Sequence, residues 1–308
     1  DWPAASVTWN GRAGGPGATA CSWWAGGMLA PFCEGETAEP EVVRLGQAAA
    51  DWWVAQGAQV TRRGTLVLAP ARDRAELARF AARTTGHRAV TAEEIAALEP
   101  DLAGRARDGL FFAAEAHLDP RAALAALVAR LAEAGVEIER GDTPPPGARV
   151  IDCRGWAARD SLPGLRGVRG EMAVLRCPDV ALTRTLRLLH PRVPVYLVPR
   201  GGGIYMLGAT MVESARPGPV TARALLELLS SAYALHPALA EAEVFETGAD
   251  IRPAFADNLP RVVEEGGRIF VNGLYRHGFL MAPALARDVA DRLAGPEREE
   301  ASHAHHAQ

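Results

Sequence analysis

Apolar residues recur at helical spacing in the first half of the chain and at alternate positions in the middle. Between residues 41 and 56, Val42, Val43, Leu45, Trp52 and Trp53 offer apolar faces at helical spacing, and Gly57 stands where a helix would end. Residues 65–69 form a short apolar run that predicts a strand. Helices are predicted at about 73–83 and 91–98; Thr91 and Glu94 open the second at the spacing that lets each side chain accept the other's backbone N–H. Leu124, Leu127, Val128 and Leu131 place a helix over 121–134, which ends at Gly135 and runs into a strand at 136–139. After a turn-rich stretch at 142–147, the apolar strand 150–153 stops at Gly155, and this part of the chain reads as a parallel α/β layer.

The period changes in the middle of the chain. Strands are predicted at 170–176, 193–199 and 204–210, the last two joined by Arg200-Gly201-Gly202-Gly203 in the manner of a hairpin, so an antiparallel sheet is expected there. A helix over 223–235, with Thr221 or Ala222 near its start and Pro237 after its end, would cover one face of that sheet. A last strand at 269–271 and a last helix at 279–293 complete the pattern. The first 31 residues are rich in Gly and Pro around one strand-like piece, Ser6-Val7-Thr8-Trp9, and no internal repeat is found.

With 308 residues and 48% hydrophobic content, the chain can bury one large core or two moderate ones. Its 33 basic and 37 acidic residues are interspersed, for a net charge of −4, which argues against a nucleic-acid footprint. Every basic residue apart from histidine is Arg, so lysine Schiff-base chemistry is excluded. Cys21, Cys33, Cys153 and Cys177 show neither CxxC spacing nor a partnered His, so neither a zinc site nor a disulfide framework is expected, and a reducing cytoplasm fits best. No apolar run approaches the ~18 residues of a membrane span and no charged-then-apolar leader pattern is read in the sequence, so neither a span nor a signal peptide, and no membrane partner, is expected. Residues 302–308 read as a frayed tail, and His303, His305 and His306 within it are a weak basis for a metal site.

Four segments carry chemistry. The string Cys21-Ser22-Trp23-Trp24-Ala25-Gly26-Gly27-Met28-Leu29-Ala30-Pro31 pairs two glycines, which let backbone approach a flat ring closely. Residues 182–186 lead into Val195-Tyr196-Leu197-Val198-Pro199-Arg200 and Leu207-Gly208-Ala209-Thr210-Met211; alternation puts Tyr196 and Val198 on one face and Val195 and Leu197 on the other. On such a strand, a Tyr is by default a packed residue with a hydrogen-bonded hydroxyl. The third segment is Gly248-Ala249-Asp250-Ile251-Arg252-Pro253 and its continuation to Pro260; by default Arg252 would pair with Asp250 or Asp257 on the surface. The fourth, Asn272-Gly273-Leu274-Tyr275-Arg276-His277-Gly278-Phe279-Leu280-Met281-Ala282-Pro283, takes the last strand into the last helix, and Pro283 is tolerable near a helix start.

Together these strings resemble the glycine-oxidase type of the D-amino-acid oxidase family of FAD-dependent oxidoreductases. The resemblance implies an α/β fold: a discontinuous Rossmann-like FAD-binding domain at 1–60, 115–168 and 245–296, and an α+β, antiparallel-sheet substrate-binding domain at 61–114 and 169–244, with a tail at 297–308. It implies FAD as cofactor, contacted by Ser22, Ala25, Gly26, Gly27 and Met28 under the flavin ring and by Gly273, Arg276, His277, Gly278, Phe279 and Leu280 at its pyrimidine end. Arg252 would clamp the substrate carboxylate, for which a planar guanidinium is suited. Tyr196 and Arg276 would orient the substrate. The implied reaction is oxidative deamination of glycine or another small amine-bearing acid, with hydride transfer to the flavin, reoxidation by O2, and a place in thiazole synthesis for thiamine. A D-amino-acid dehydrogenase or sarcosine-type oxidase shares these motifs, and a cofactor-free binding protein is the reading from a different class. Assembly into a homo-oligomer is left open.

The sequence departs from the family at its start. A complete member opens with a strand, G-x-G-x-x-G and a helix, and carries an acid after the second strand; Asn10-Gly11-Arg12 stands where that acid would fall. With Asp at residue 1, the chain is expected to be the remainder of a longer one, lacking about 30 residues of the usual unit and with them the main anion site for the cofactor's pyrophosphate. The link from Glu139 to Val150 is also too short for the family's small adenine-side hairpin.

Overall fold

The structure is a computed structural model of the chain and describes residues 6–9, 17–141, 143–144, 146–190 and 193–294. Its largest element is a nine-stranded sheet. Across it run Val212–Glu213, Arg166–Arg176, Ile204–Gly208, Val195–Gly201, Thr185–Leu188, Thr65–Leu68, Asp108–Phe112 and Arg88–Thr91, while Glu243–Ala254 pairs with Arg166–Arg176. All neighbours are antiparallel except Thr185–Leu188 against Thr65–Leu68. The hairpin pairs Leu197 with Leu207 and Tyr196 with Gly208, so the two faces diverge as alternation requires. Val195 and Leu197 enter the main core with Leu186, Leu207, Leu228 and Ala232, beneath the helix Ala222–Leu235. Tyr196 and Val198 face the other way, among Met172, Val174, Met206 and Trp24. Thr221 caps that helix through its hydroxyl, which accepts the Ala224 N–H.

The parallel reading also holds. The helix Pro120–Glu133, capped by Asp119, passes Gly135 (φ +72°) into the strand Glu137–Arg140, which lies parallel to Ser6–Trp9. Val150–Asp152 runs parallel to Arg268–Asn272, whose other neighbour is Arg261–Glu265. The reciprocal cap of Thr91 and Glu94 is present at the helix Ala92–Leu98. The architecture is mixed α/β, and among the described residues these two parallel pairs belong to separate sheets. The boundaries drawn at 168/169 and 244/245 pass through Arg166–Arg176 and Glu243–Ala254, which pair along their whole lengths.

Two expectations are corrected. The helix expected at 41–56 is two helices, Pro40–Gly46 and Ala49–Ala55. Gly46, a poor helix former, lies against Leu280 of the last helix, where a Cβ would come within 2.8 Å of that side chain. The twelve-residue strand Glu243–Ala254 has no counterpart in the periodicity, because Gly248, Asp250 and Pro253 interrupt its alternation. The last helix, Gly278–Ala294, is held to Ala49–Ala55 by the Trp53 indole, which donates to the Phe279 carbonyl (2.8 Å) and packs on the Phe279 ring. Asn10–Arg12 and the tail histidines lie outside the described residues.

Candidate active site

The face of the large sheet that carries Tyr196 is shaped by missing side chains. A Cβ on Gly26 would lie 2.7 Å from the Tyr196 ring, and one on Gly208 3.1 Å from it, so the ring occupies a slot between two glycines. A Cβ on Gly248 would fall 2.0 Å from the Trp24 ring, and one on Gly170 2.3 Å from the Arg252 guanidinium. The long strand thus supplies a charged fork lying over bare backbone. Arg252 Nη1 donates to the Thr210 carbonyl at 3.0 Å, its one hydrogen bond among the described residues, so its other donors stay free.

The glycine loop is fixed from behind. Gly27 has φ +71°, and a Cβ there would stand 2.2 Å from the Leu118 carbonyl, so only glycine fits. Met28 then pairs antiparallel with His117. Arg200, on the same face of the hairpin as Tyr196 and Val198, donates to the carbonyls of Leu118 (2.7 Å), Gly26 (2.8 Å) and Ala25 (3.3 Å). Burial lowers its pKa to about 10 against the attraction of Asp119, so it keeps its charge at neutral pH. Ser22 is exposed, and its carbonyl accepts the Ala25 N–H.

The strand-to-helix turn closes the site from the other side. Gly273 (φ +79°) donates to the Asn272 side chain, and the Tyr275 N–H bonds to the Pro253 carbonyl (2.9 Å), tying the turn to the strand of Arg252. Arg276 directs both Nε (2.8 Å) and Nη2 at one oxygen of Glu34, a buried carboxylate at the end of the short helix Pro31–Glu34. His277 Nδ1 lies 3.4 Å from the same oxygen, and Arg187 Nη1 3.6 Å from the other. The side chains of Phe279 and Leu280 are packed into the core, so what they offer the site is backbone. The first N–H groups of Gly278–Ala294 have no carbonyl within their own helix, and around Gly278 a Cβ would meet nothing within 4 Å.

Burial would raise the Glu34 pKa, but Arg276, His277 and Arg187 together outweigh it and hold the carboxyl at about 2. Burial depresses His277 to about 4 despite Glu34, so the imidazole is neutral at physiological pH. The Tyr196 phenol is raised by burial, an effect that Arg252 and then Arg276 partly offset. The cluster is an anion-receptive wall with one carboxylate set into it.

A family sequence profile, FAD dependent oxidoreductase (DAO), matches residues 7–292. The chain belongs to that family. A Rhizobium etli protein named "Putative thiamine biosynthesis oxidoreductase ThiO" is 57% identical over 291 residues, covering 93% of this chain and 89% of that one. A glycine oxidase of Geobacillus kaustophilus is 33% identical over 168 residues, 52% of this chain and 43% of the relative. Among solved structures, glycine oxidases of Geobacillus kaustophilus (TM-score 0.73, 23% identity, 93% of this chain and 86% of that one) and Bacillus cereus (0.76, 20%, 94% and 90%) share the fold.

FAD is the family's cofactor, and the ring end of its site fits the residues present. The orphan N–H groups at the start of a 17-residue helix, with a neutral imidazole and open space at Gly278, favour the electron-rich edge of a flavin. On the loop side, His117 Nδ1, on the strand paired with Met28, is buried and has no hydrogen-bond partner among the described residues. For the pyrophosphate end, no strand-G-x-G-x-x-G-helix occurs among the described residues. The structure brings Gly26, Tyr196, Arg252, Arg276 and His277 together. Sequence reasoning missed Glu34, Arg200 and Gly170. Arg200 was signalled by its place two and four residues beyond Val198 and Tyr196 on one strand face.

Proposed function

We propose that the protein is an FAD-dependent amino acid oxidase that deaminates glycine or a similarly small amino acid. The observation that carries this reading is Arg252, a half-buried guanidinium with free donors, cradled on Gly170 and beside Tyr196. A fork of parallel donors in a partly desolvated place suits a carboxylate. Arg252 grips the acid group; the Tyr196 hydroxyl and the remaining Nη1 of Arg276 fix its orientation. The ring-end contacts are assigned to the backbone of Ala25, Gly26, Gly27 and Met28, with Ser22 at its margin, and to Gly273, Arg276, His277 and the first N–H groups at Gly278, Phe279 and Leu280. FAD, when bound, supplies the two-electron acceptor.

The surrounding groups are poor bases at neutral pH: Glu34 is held at about 2, His277 at about 4, and burial pushes the Cys21 thiol up to about 12. A mechanism that abstracts the Cα proton has no poised acceptor among them. Transfer of the Cα hydrogen as hydride from a substrate with a neutral amine needs none, and what the chain contributes is orientation. With O2 as final acceptor and water hydrolysing the imine, glycine, O2 and water give glyoxylate, ammonia and hydrogen peroxide. The small product chemistry and the Rhizobium relative's name support a role in thiazole synthesis. The four cysteines are all free thiols, which supports a cytoplasmic setting; no helix among the described residues is long and apolar enough to cross a membrane.

The test is O2 consumption by the flavin-loaded protein with glycine, sarcosine and D-alanine, in wild type and Arg252→Gln. Saturable peroxide formation with glycine that Arg252→Gln abolishes is expected. Reduction of an artificial dye without O2 uptake would make it a dehydrogenase, and turnover unchanged in the variant would remove Arg252 from the site.

A further inference from the structure

Two guanidiniums lie along the segment that follows Gly208, the glycine backing the Tyr196 ring, Arg252 at the Thr210 carbonyl and Arg276 at the Met211 sulfur, but they are not equally available. Arg252 spends one donor on the Thr210 carbonyl. Arg276 spends Nε and Nη2 on Glu34 and aims Nη1 at the Met211 sulfur, 3.5 Å away, a weak acceptor. Glu34 is 6% exposed and joined by Arg187 and His277, so solvent does not compete for it. Arg187 is itself engaged by Glu36 at 2.8 Å. Among the described residues each positive charge on this wall therefore has an internal carboxylate, except that of Arg252, whose strand neighbour Asp250 accepts the Ile251 N–H.

We propose that Glu34 sets substrate selectivity: by occupying the fork of Arg276 it leaves Arg252 as the one free carboxylate grip, so the site accepts amines carrying a single acid group and rejects those carrying a second. This rests on the reading of Arg252 as the substrate clamp. A second carboxylate near Arg276 would have to displace Glu34, which then has no water to turn to and would stand as a buried like charge beside the ligand. Glu34 acts through Arg276 and is a positioning residue.

The test is calorimetric binding of acetate and malonate to the flavin-loaded protein near neutral pH, in wild type, Glu34→Gln and Arg276→Gln. Wild type is expected to bind acetate, and malonate no more tightly. Glu34→Gln frees a charged donor pair, and malonate should gain about tenfold while acetate changes less than about threefold. A purely structural role for Glu34 would weaken both ligands alike. A folded Glu34→Gln protein with the wild-type ratio, or wild type that already prefers malonate tenfold, overturns the proposal. Should Glu34→Gln not fold, Arg276→Gln decides: the ratio of the two ligands stays as in wild type if Arg276 was never free, and a fall in that ratio refutes the idea. Failure of wild type to bind acetate, or acetate binding that survives Arg252→Gln, overturns instead the reading of Arg252, and this proposal with it.

Discussion

Replacing Gly170 by alanine adds one methyl group directly under the Arg252 guanidinium. The new Cβ would stand 2.3 Å from both Cζ and Nη2 of Arg252 and 2.8 Å from Nη1. Carbon atoms in contact sit ~3.5–4.0 Å apart, so the guanidinium must retreat by roughly 1 Å or more or swing off its strand. A displacement of about 1 Å at a positioning group costs on the order of a hundredfold in rate, and loss of a charge-assisted hydrogen bond to the substrate about 1.5–3 kcal/mol. The expected result is a fall of ten- to a hundredfold in kcat/KM for glycine, mostly through KM, with a parallel loss of acetate inhibition. Stability should barely move, because Gly170 has no left-handed φ and alanine there restricts the unfolded chain, worth about 0.4–1 kcal/mol in the other direction. Steady-state kinetics with thermal melts of both proteins make the comparison. Activity within twofold of wild type would show that Arg252 does not need its cradle, and the clamp would have to be sought elsewhere.

Two other outcomes follow from the same wall. Glu34 falls from 4.5 to about 2 on folding, worth about 3 kcal/mol that is present above the unfolded value and lost as pH drops through the folded one. His277, depressed from 6.5 to about 4, and His117, likewise moved to about 4 by burial and Arg200, lose their share over a higher window. Glu115, raised by burial to about 7, acts oppositely, favouring the fold until pH climbs through that value. Urea unfolding from pH 7 to pH 3 should therefore show stability declining through most of the range, most steeply near pH 4.5, with Glu34 carrying the loss below about 4, and a flat profile there would contradict the buried Glu34 pair. Arg200→Met strips a donor from three buried carbonyls and should cost about 3 kcal/mol and weaken flavin retention, with Arg200→Lys restoring only part because an ammonium lacks the fork; equal retention in all three proteins would mean the loop stands without its strap.

What could be read from the chain alone was local. The mutual cap of Thr91 and Glu94, the alternation around Tyr196 and the apolar stripe of 121–134 depend on neighbours a few residues away, and each appears in the fold. The pair of Arg276 and Glu34 spans 242 positions and leaves no periodic trace. Its sign could be guessed only from the oddity of an acid three residues after Pro31, in an otherwise apolar turn that ends buried. The strand Glu243–Ala254 was hidden for a related reason. Glycine in a strand interior weakens it, and its presence there marks a close approach.

That hidden strand explains how the site is built. Gly248 takes the Trp24 ring and, on the partner strand, Gly170 takes the Arg252 fork, while Gly26 and Gly208 enclose Tyr196. Each of these glycines forgoes side-chain packing and adds unfolded-state entropy, a cost of about 0.5–1 kcal/mol relative to alanine at each position. A sheet selected for stability alone would fill those positions. Their clustering on one face, opposite the packed core beneath Ala222–Leu235, says that this face is shaped for large flat or forked groups to lie on bare backbone, as the Trp24 ring and the Arg252 fork do. The rest of the chain, from the Arg200 strap to the Trp53 anchor on the last helix, holds that face in register.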